Sequence, residues 1–345
     1  MTDRHVVVVG LGNTGSQLAP LLARMGDVSR ITLVDPGAYE AANVAVQNIE
    51  ASDIGKPKVE AQAEKLRRIR QDLEVVALEQ RIEDVPRGQL VCDLFASCLD
   101  SKGSRQSLNE IAWRLNTPWS DCGVLGSLNL VRVNSYVPSD ESACLECAWG
   151  HDEYSVLEQE YVCGGGVASY PTLATSALGA LAGALMAVEI GKLLRGDVDC
   201  SLASRQLVMD AQHQKLQVTQ MRKNVWCRFD HRTWQIEPWV CPPETTTLGA
   251  ALNTLGTLQV EGHRFASDLI CPGCMKREQA LRLNRPLARC NACNRRMITA
   301  GFGSLDRLDR ELAGEYVSRT LAQVGLRAGD IVSGGNRHRR LLEAA

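Results

Sequence analysis

The sequence predicts a doubly wound α/β domain followed by a small cysteine-knuckle module, and three observations predict it. First, the valine run Val6 to Val9 leads straight into Gly10-x-Gly12-x-x-Gly15, which reads as a buried strand, a tight glycine turn and the start of a helix. Second, another apolar run, Ile31-Thr32-Leu33-Val34, ends in Asp35, twenty residues beyond Gly15. An acid at that distance suits a ribose hydroxyl pair, so the arrangement is Rossmann-like. Third, two C-x-x-C pairs, Cys271/Cys274 and Cys290/Cys293, lie in the C-terminal third. Taken alone, the glycine turn and Asp35 fit a dinucleotide as well as a mononucleotide, and also an ordinary turn in an α/β domain.

The elements follow in order. The helix after Gly15 carries Leu18, Leu21 and Leu22, with Pro20 awkward for a helix interior. Pro36-Gly37 turns the chain, and Ile54-Gly55-Lys56-Pro57-Lys58 opens a helix over Val59 to Arg70. Glu74 to Leu78 reads as a third strand and Leu90 to Ala96 as a fourth, ending in Ser97-Cys98-Leu99-Asp100. Ligands of doubly wound sheets sit at the carboxyl ends of strands, so Asp100 is expected in the same crevice as Gly12 and Asp35. A helix from Ser104 to Leu115 precedes strands at Trp119 to Cys122 and Leu128 to Val137, the latter alternating as a half-exposed strand does. Leu207 to Asp210 and Lys215 to Thr219 make a late β pair. The composition changes at Cys241-Pro242-Pro243, which places the first domain at 1–240, a linker and knuckle module at 241–300, and a helix from Leu305 to Val324 plus a tail within 301–345.

The bulk properties narrow the function. A net charge of −2 argues against a general nucleic-acid binder. No cleavable leader is expected before Val6, and the apolar stretch Leu173 to Leu194 reads as a buried helix whose Ala and Gly residues let another backbone pack closely, so neither export nor a membrane partner is expected. Thirteen cysteines, an odd number, fit reduced thiols and metal in a cytoplasmic protein better than a disulfide framework.

Cys271-x2-Cys274-x15-Cys290-x2-Cys293 has the spacing of a zinc ribbon, in which four thiolates close one tetrahedral ion and leave no position for water. Its role is structural, because so small a segment needs the metal to fold. Cys144-x2-Cys147 requires two more ligands, and Cys227-x3-His231 is a spaced pair that can supply them as a Cys3His site. Otherwise Cys227 is a core cysteine and His231 a surface residue. Two structural Zn2+ sites are therefore expected. Cys92, Cys98, Cys122 and Cys200 read as core or incidental.

Residues 4 to 235 resemble the E1-like activating enzymes, the superfamily of ThiF, MoeB and the ubiquitin-activating enzymes. The resemblance rests on Val9-Gly10-Leu11-Gly12-Asn13-Thr14-Gly15, Leu33-Val34-Asp35-Pro36, Asn43 to Gln47, Ile54 to Glu60, Leu99-Asp100-Ser101 with Arg105 and Asn109, Cys144-Leu145-Glu146-Cys147, and the Cys163-Gly-Gly-Gly-Val167 stretch. It implies an adenylation domain that uses ATP and Mg2+ to activate the C-terminal glycine of a ubiquitin-like or sulfur-carrier protein. Gly10, Gly12 and Gly15 would let the nucleotide lie close, Asp35 would hold the ribose, and Asn43 and Gln47 would reach phosphate or ribose oxygens. Lys58 would steady the pyrophosphate leaving group, Asp100 would hold Mg2+, and Cys163 would accept the activated carboxylate as a thiol, or else be a small residue before a helix. An E2-like or sulfurtransferase partner and a homodimer or E1-like heterodimer are implied.

The resemblance departs in two places. The first strand is expected only a few residues from Met1, which leaves little room for the preceding helix that in several relatives supplies an arginine across the dimer. The family pattern Asn-x-x-Arg-Gln has Val46 where its arginine stands. Either the enzyme draws a cation from elsewhere or works slowly, or the chain is a catalytically weak scaffold that pairs with an active partner.

Overall fold

The computed structural model describes residues 3–158, 174–285, 289–335 and 338–343, and the chain divides into two units. The first takes Met1–Glu83 and Cys92–Thr233, the second Asp84–Val91 and Trp234–Ala345.

In the first unit, β1 (Arg4–Val9), α1 (Asn13–Leu22), β2 (Val28–Val34), α2 (Lys58–Ile69), β3 (Glu74–Leu78), β4 (Leu94–Ser97), α3 (Lys102–Arg114) and β5 (Trp119–Leu125) alternate as a doubly wound fold does. They are followed by β6 (Leu130–Tyr136), α4 (His151–Glu158), α5 (Ser176–Arg195), β7 (Arg205–Asp210) and β8 (Lys215–Gln220). The sheet runs β3-β2-β1-β4-β5-β6-β7-β8. Its first five strands are parallel and the last three antiparallel. A parallel central strand is covered on both faces, which is why Val6 to Val9 form a continuous apolar run that is at most 1 % exposed.

The long apolar helix is α5, long and apolar enough by composition to cross a membrane. Here its Leu178, Ala182, Met186 and Ile190 join the core formed by Val6, Val8, Leu18 and Leu22. The small residues have a physical reason: a Cβ on Gly183 would stand 3.2 Å from the Leu18 backbone nitrogen, so α1 lies against the glycine itself. Pro20 falls in the last turn of α1, where only one backbone hydrogen bond is lost.

Three expectations are corrected. The fourth strand begins at Leu94 rather than Leu90, because Arg87–Leu90 form a 3-10 turn. The Gly88 amide there donates to the Gly329 carbonyl at 2.7 Å within the second unit. β6 is not half exposed: Asn134 and Tyr136 are buried, and the Tyr136 ring stacks on Trp119. The helix expected over Leu305 to Val324 is a short helix, Arg310–Ala313, and a 3-10 turn, Gly314–Ser318. Gly314, at φ 50°, stops the α-helix.

The second unit holds β9 (Ile236–Val240), α6 (Leu248–Leu255), β10 (Gln259–Val260), β11 (Phe265–Ile270), β12 (Arg277–Leu283), β13 (Ile298–Thr299), β14 (Ser304–Leu305), the short helix α7 (Arg310–Ala313), β15 (Ile331–Ser333) and β16 (Arg339–Glu343). One sheet runs β10-β15-β16-β9, and the other runs β12-β11-β13 with β14 also on β11. The second sheet carries the two cysteine knuckles. Its small core includes Ala266, Leu269, Cys271, Cys290 and Met297.

Candidate functional site

The carboxyl ends of β1, β2, β4 and β5 open on a cavity of ≈ 920 Å3. The three glycines of the first turn do different work. Gly10 has φ 89°, and a Cβ there would press within 2.6 Å of the Cys98 carbonyl oxygen; a Cβ on Gly15 would meet the Gly10 carbonyl oxygen at 1.9 Å. Both close the turn. A Cβ on Gly12 would meet nothing within 4 Å, so its open side faces the cavity. Gly12 also caps α1 without a side-chain hydrogen bond, which leaves first-turn N–H groups for an anion.

Asp35, buried at the end of β2, accepts from the Leu11 amide at 2.7 Å and the Gly37 amide at 2.8 Å, one on each carboxylate oxygen. Tyr39 donates from its hydroxyl to the Leu11 carbonyl at 3.0 Å, and burial pushes its phenol above the ordinary range, so it remains a donor. Lys58 begins α2 and its ammonium lies 5.7 Å from the centre of the Tyr39 ring. Asp100 follows β4, is exposed, and lines the cavity with Lys58, Gly12 and Asp35. Gln47 and Asn13 line it too. Each has a buried carboxamide oxygen without a hydrogen-bond partner among the described residues.

The structure brings Gly10, Gly12, Asp35, Gln47, Lys58 and Asp100 to this cavity and sets Gly15 behind it. Asn43 stands back from its lining: its carboxamide oxygen accepts from the Glu40 amide at 2.9 Å, closing the cap of a 3-10 turn. Val46 lines the cavity, half-buried. Cys163 lies outside the described residues.

Several lining residues have no place in the site expected from the sequence, where Arg105 stands only as a motif residue. Cys98 and Cys122 put their Sγ atoms 3.9 Å apart at the strand ends. The Cys98 thiol is pushed well above its ordinary range by its contact with Cys122 and by burial, so it is not a nucleophile. Arg105 and Arg132 both pair with the fully buried Asp121, at 2.9 and 2.6 Å. Asp121 and Arg132 meet there only because β5 and β6 are neighbours, while Arg105 comes from α3, and the sequence carries no local signal of the meeting. A further basic residue of the lining, Arg81, sits 3.6 Å from Glu83.

The two metal-ligand sets fold as groups. The ligand atoms of Cys144, Cys147, Cys227 and His231 lie within 4.8 Å of one another, as do those of Cys271, Cys274, Cys290 and Cys293. Thiolates on one tetrahedral zinc stand about 3.8 Å apart for ~2.3 Å bonds. Cys144 is 3.8 Å from Cys147 and 3.7 Å from Cys227, and Cys147 is 3.2 Å from His231 Nε2. In the ribbon, Cys271–Cys293 and Cys274–Cys290 are 3.2 and 3.5 Å apart. Both sets thus fit a zinc ion. The Cys147 thiol is pulled down to about 4, first by the Cys144 thiol that hydrogen-bonds it. His231 is held in place as well: its carbonyl accepts from the Trp113 indole at 3.1 Å, and the two rings meet edge to face.

Comparison with known proteins places the first unit. The sulfur carrier protein ThiS adenylyltransferase of Escherichia coli (strain K12) is 28 % identical over 199 residues, covering 57 % of this chain and 74 % of that protein. The ubiquitin-like modifier-activating enzyme 5 of Bombyx mori is 31 % identical over 212 residues, covering 56 % of this chain and 51 % of the relative, so the chain spans about half of that protein. The solved structure of E. coli MccB with ATP shares the fold at a TM-score of 0.54 and 19 % identity, covering 65 % of each chain. The ThiF family model matches residues 1–229. The chain belongs to the ThiF family.

Proposed function

We propose that the first unit activates a C-terminal carboxylate by ATP-dependent adenylation, the carboxylate belonging to a ubiquitin-like or sulfur-carrier protein. One observation carries the reading: an uncapped helix N-terminus, the open side of Gly12, the Lys58 ammonium and the Asp100 carboxylate line one cavity. The E. coli relative is an adenylyltransferase of a sulfur carrier protein, and the Bombyx mori relative is an activating enzyme of a ubiquitin-like modifier.

Bound ATP supplies an α-phosphate for a carboxylate to attack, with pyrophosphate leaving. In this reading the first-turn amides of α1 receive phosphate oxygens. Asp35, held by two backbone amides, keeps lone pairs free for ribose hydroxyls. The Lys58 ammonium has no hydrogen bond or ion pair among the described residues, so its charge is free to offset that of the leaving pyrophosphate. Asp100 would hold Mg2+, whose charge would offset that of the phosphates. Gln47 offers its partnerless oxygen to donors of the nucleotide, whereas the Asn13 oxygen lies against Gly179 of α5. The Cys163 thiol would attack the acyl carbon of the adenylate, forming a thioester as AMP leaves, and the acyl group would then pass to an E2-like or sulfurtransferase partner. Both cysteine sites hold structural zinc, and the protein works in the cytoplasm as a homodimer or beside an E1-like partner.

The test is ATP–pyrophosphate exchange dependent on the carrier's C-terminal carboxylate. Lys58→Ala should slow it about 10²–10³-fold, the scale of one electrostatic contact in a transition state. Absence of exchange with the cognate carrier, together with an indifferent Lys58→Ala, would sink the reading. Val46 favours a second one, a scaffold that pairs with an active subunit. Calorimetry separates the two, since the scaffold would bind ATP undetectably.

A further inference from the structure

The far end of the cavity, toward β5 and β6, carries a cation without an evident structural task. Asp121 is fully buried, and its Oδ1 already accepts from Arg105 Nε at 2.9 Å and from Ser97 Oγ at 2.7 Å. Arg105 neutralises it. Arg132 nevertheless donates one further N–H, from Nη2, to Asp121 Oδ2 at 2.6 Å. The cluster therefore holds two guanidinium charges against one carboxylate. A guanidinium has five N–H donors, and among the described residues Asp121 is the only hydrogen-bond or ion-pair partner of the Arg132 side chain. Its side chain is 31 % exposed and lines the cavity.

The surroundings say what it faces. Arg132 stands opposite Gly123 on β5 and Val208 on β7. A Cβ on Gly123 would come 3.4 Å from Arg132 Nη2, so the glycine leaves the guanidinium its room. Val124, Leu125, Leu130 and Val208 supply an apolar lining to the same cavity. The nucleotide set, Gly12, Asp35 and Lys58, belongs to β1, β2 and α2. β6 is three strands from β1 in the sheet, about 14 Å at ~4.8 Å per strand. An apolar trough with a glycine in its wall and one preoriented cation suits an extended, small-residue peptide tail that ends in a negative charge.

We propose that Arg132, oriented by Asp121, binds the free α-carboxylate of the acceptor tail and makes this site select a peptide acid over a peptide amide. This rests on the adenylation reading and adds the acceptor's chemistry to it. Arg132 takes up part of the carboxylate's charge before it meets the α-phosphate, and Asp121 keeps the guanidinium from swinging toward the triphosphate. The cation on the acceptor side is thus separate from the position where Val46 stands.

The probe is a pair of synthetic peptides ending in Gly-Gly, one with a free carboxylate and one amidated, followed by chemical-shift titration on the full chain. The wild type is expected to bind the acid about 10–100-fold more tightly than the amide, the range of a charge-assisted hydrogen bond. Arg132→Gln should abolish that preference and leave ATP affinity within twofold, and Arg132→Lys should restore part of it. In exchange assays the KM for the acceptor should rise in Arg132→Gln with the KM for ATP unchanged. Equal binding of acid and amide by the wild type, no detectable binding of either, or an Arg132→Gln loss that falls equally on ATP overturns the proposal. Failure of the adenylation reading looks different: no ATP binding and no exchange in the wild type, while the acid–amide preference is still measured by titration. Matching melting temperatures for Arg132→Gln and Arg132→Lys guard against a folding defect, which a half-exposed side chain is not expected to cause.

Discussion

The Lys58 ammonium lies 5.7 Å from the centre of the Tyr39 ring and takes no hydrogen bond or ion pair among the described residues. A ring face steadies a cation without neutralising it, so the charge stays available to the cavity. A Cβ on Gly37 would be in ordinary contact with Lys58 Nζ at 3.7 Å but would crowd Asp35 Oδ1 at 3.1 Å, so the glycine leaves room chiefly for the carboxylate. Val46 shares the cavity lining and contributes no charge. Val46→Arg should therefore raise the pyrophosphate-exchange rate about tenfold or more, because one added contact to a developing charge is worth several kcal/mol in a water-poor site. Steady-state exchange at varied ATP checks it. An unchanged rate would mean that Lys58 and the cavity's other cations already meet the need.

Removal of zinc should act unequally on the two cysteine sites. The ribbon core beside Cys271 and Cys290 consists of a few small and medium side chains, Ala266, Leu269, Ala280 and Met297. That is too little apolar surface to hold two knuckles without metal. The Cys144/Cys147/Cys227/His231 site sits instead beside buried Trp113, with Phe229 and His231 packed edge to face or tilted around it. A strong chelator should release the ribbon zinc first and broaden its amide resonances, while the Trp113 environment persists until higher chelator concentration. Zinc stoichiometry by atomic absorption is expected to fall from two per chain through one to none, and Cys274→Ser should start at one.

What the sequence made legible, and what it did not, divides by how local the cause is. Gly12, Asp35, Lys58 and Asp100 stand at the ends of strands or the start of a helix, and apolar periodicity marks those ends. The cysteine knuckles are legible for the same reason, since both ligands of a pair are three residues apart. Arg132 and Asp121 are not, because their meeting depends on the register that sets Asp121 opposite Asn134 and Gly123 opposite Arg132. Cys98 and Cys122 likewise meet only through neighbouring strands. The misplaced start of β4 has a similar origin: Leu90 and Val91 are apolar enough to extend a strand, yet Leu90 closes a 3-10 turn whose Gly88 amide donates to the carbonyl of Gly329, far along the chain, and the turn belongs to the second unit. The overlong C-terminal helix failed at one backbone angle, the positive φ of Gly314.

The second unit should lose stability in mild acid through one histidine. Burial, and then the nearby charges of Arg285, Arg87 and Arg327, lower the His263 imidazole from its ordinary value of 6.5 to about 3. In the folded unit the ring stays neutral down to about pH 3, whereas the unfolded chain protonates it near pH 6.5. Between those values the unfolded state binds more protons, so stability is fully present above pH 6.5 and falls as the pH drops toward 3. The slope approaches about 1.4 kcal/mol per pH unit for one proton. Protons also compete with zinc for the ribbon cysteines, so the measurement is a difference: calorimetric melting of the wild type and of His263→Gln at pH 7.5, 6.0 and 5.0 with zinc saturating. The substitution removes the titrating group and leaves the zinc ligands alone, and the gap between the two melting curves should narrow, or reverse sign, as the pH falls. A gap that stays constant from pH 7.5 to 5.0 would show that the imidazole is protonated in the folded unit as readily as in the unfolded chain, against the burial and the three arginines that surround it.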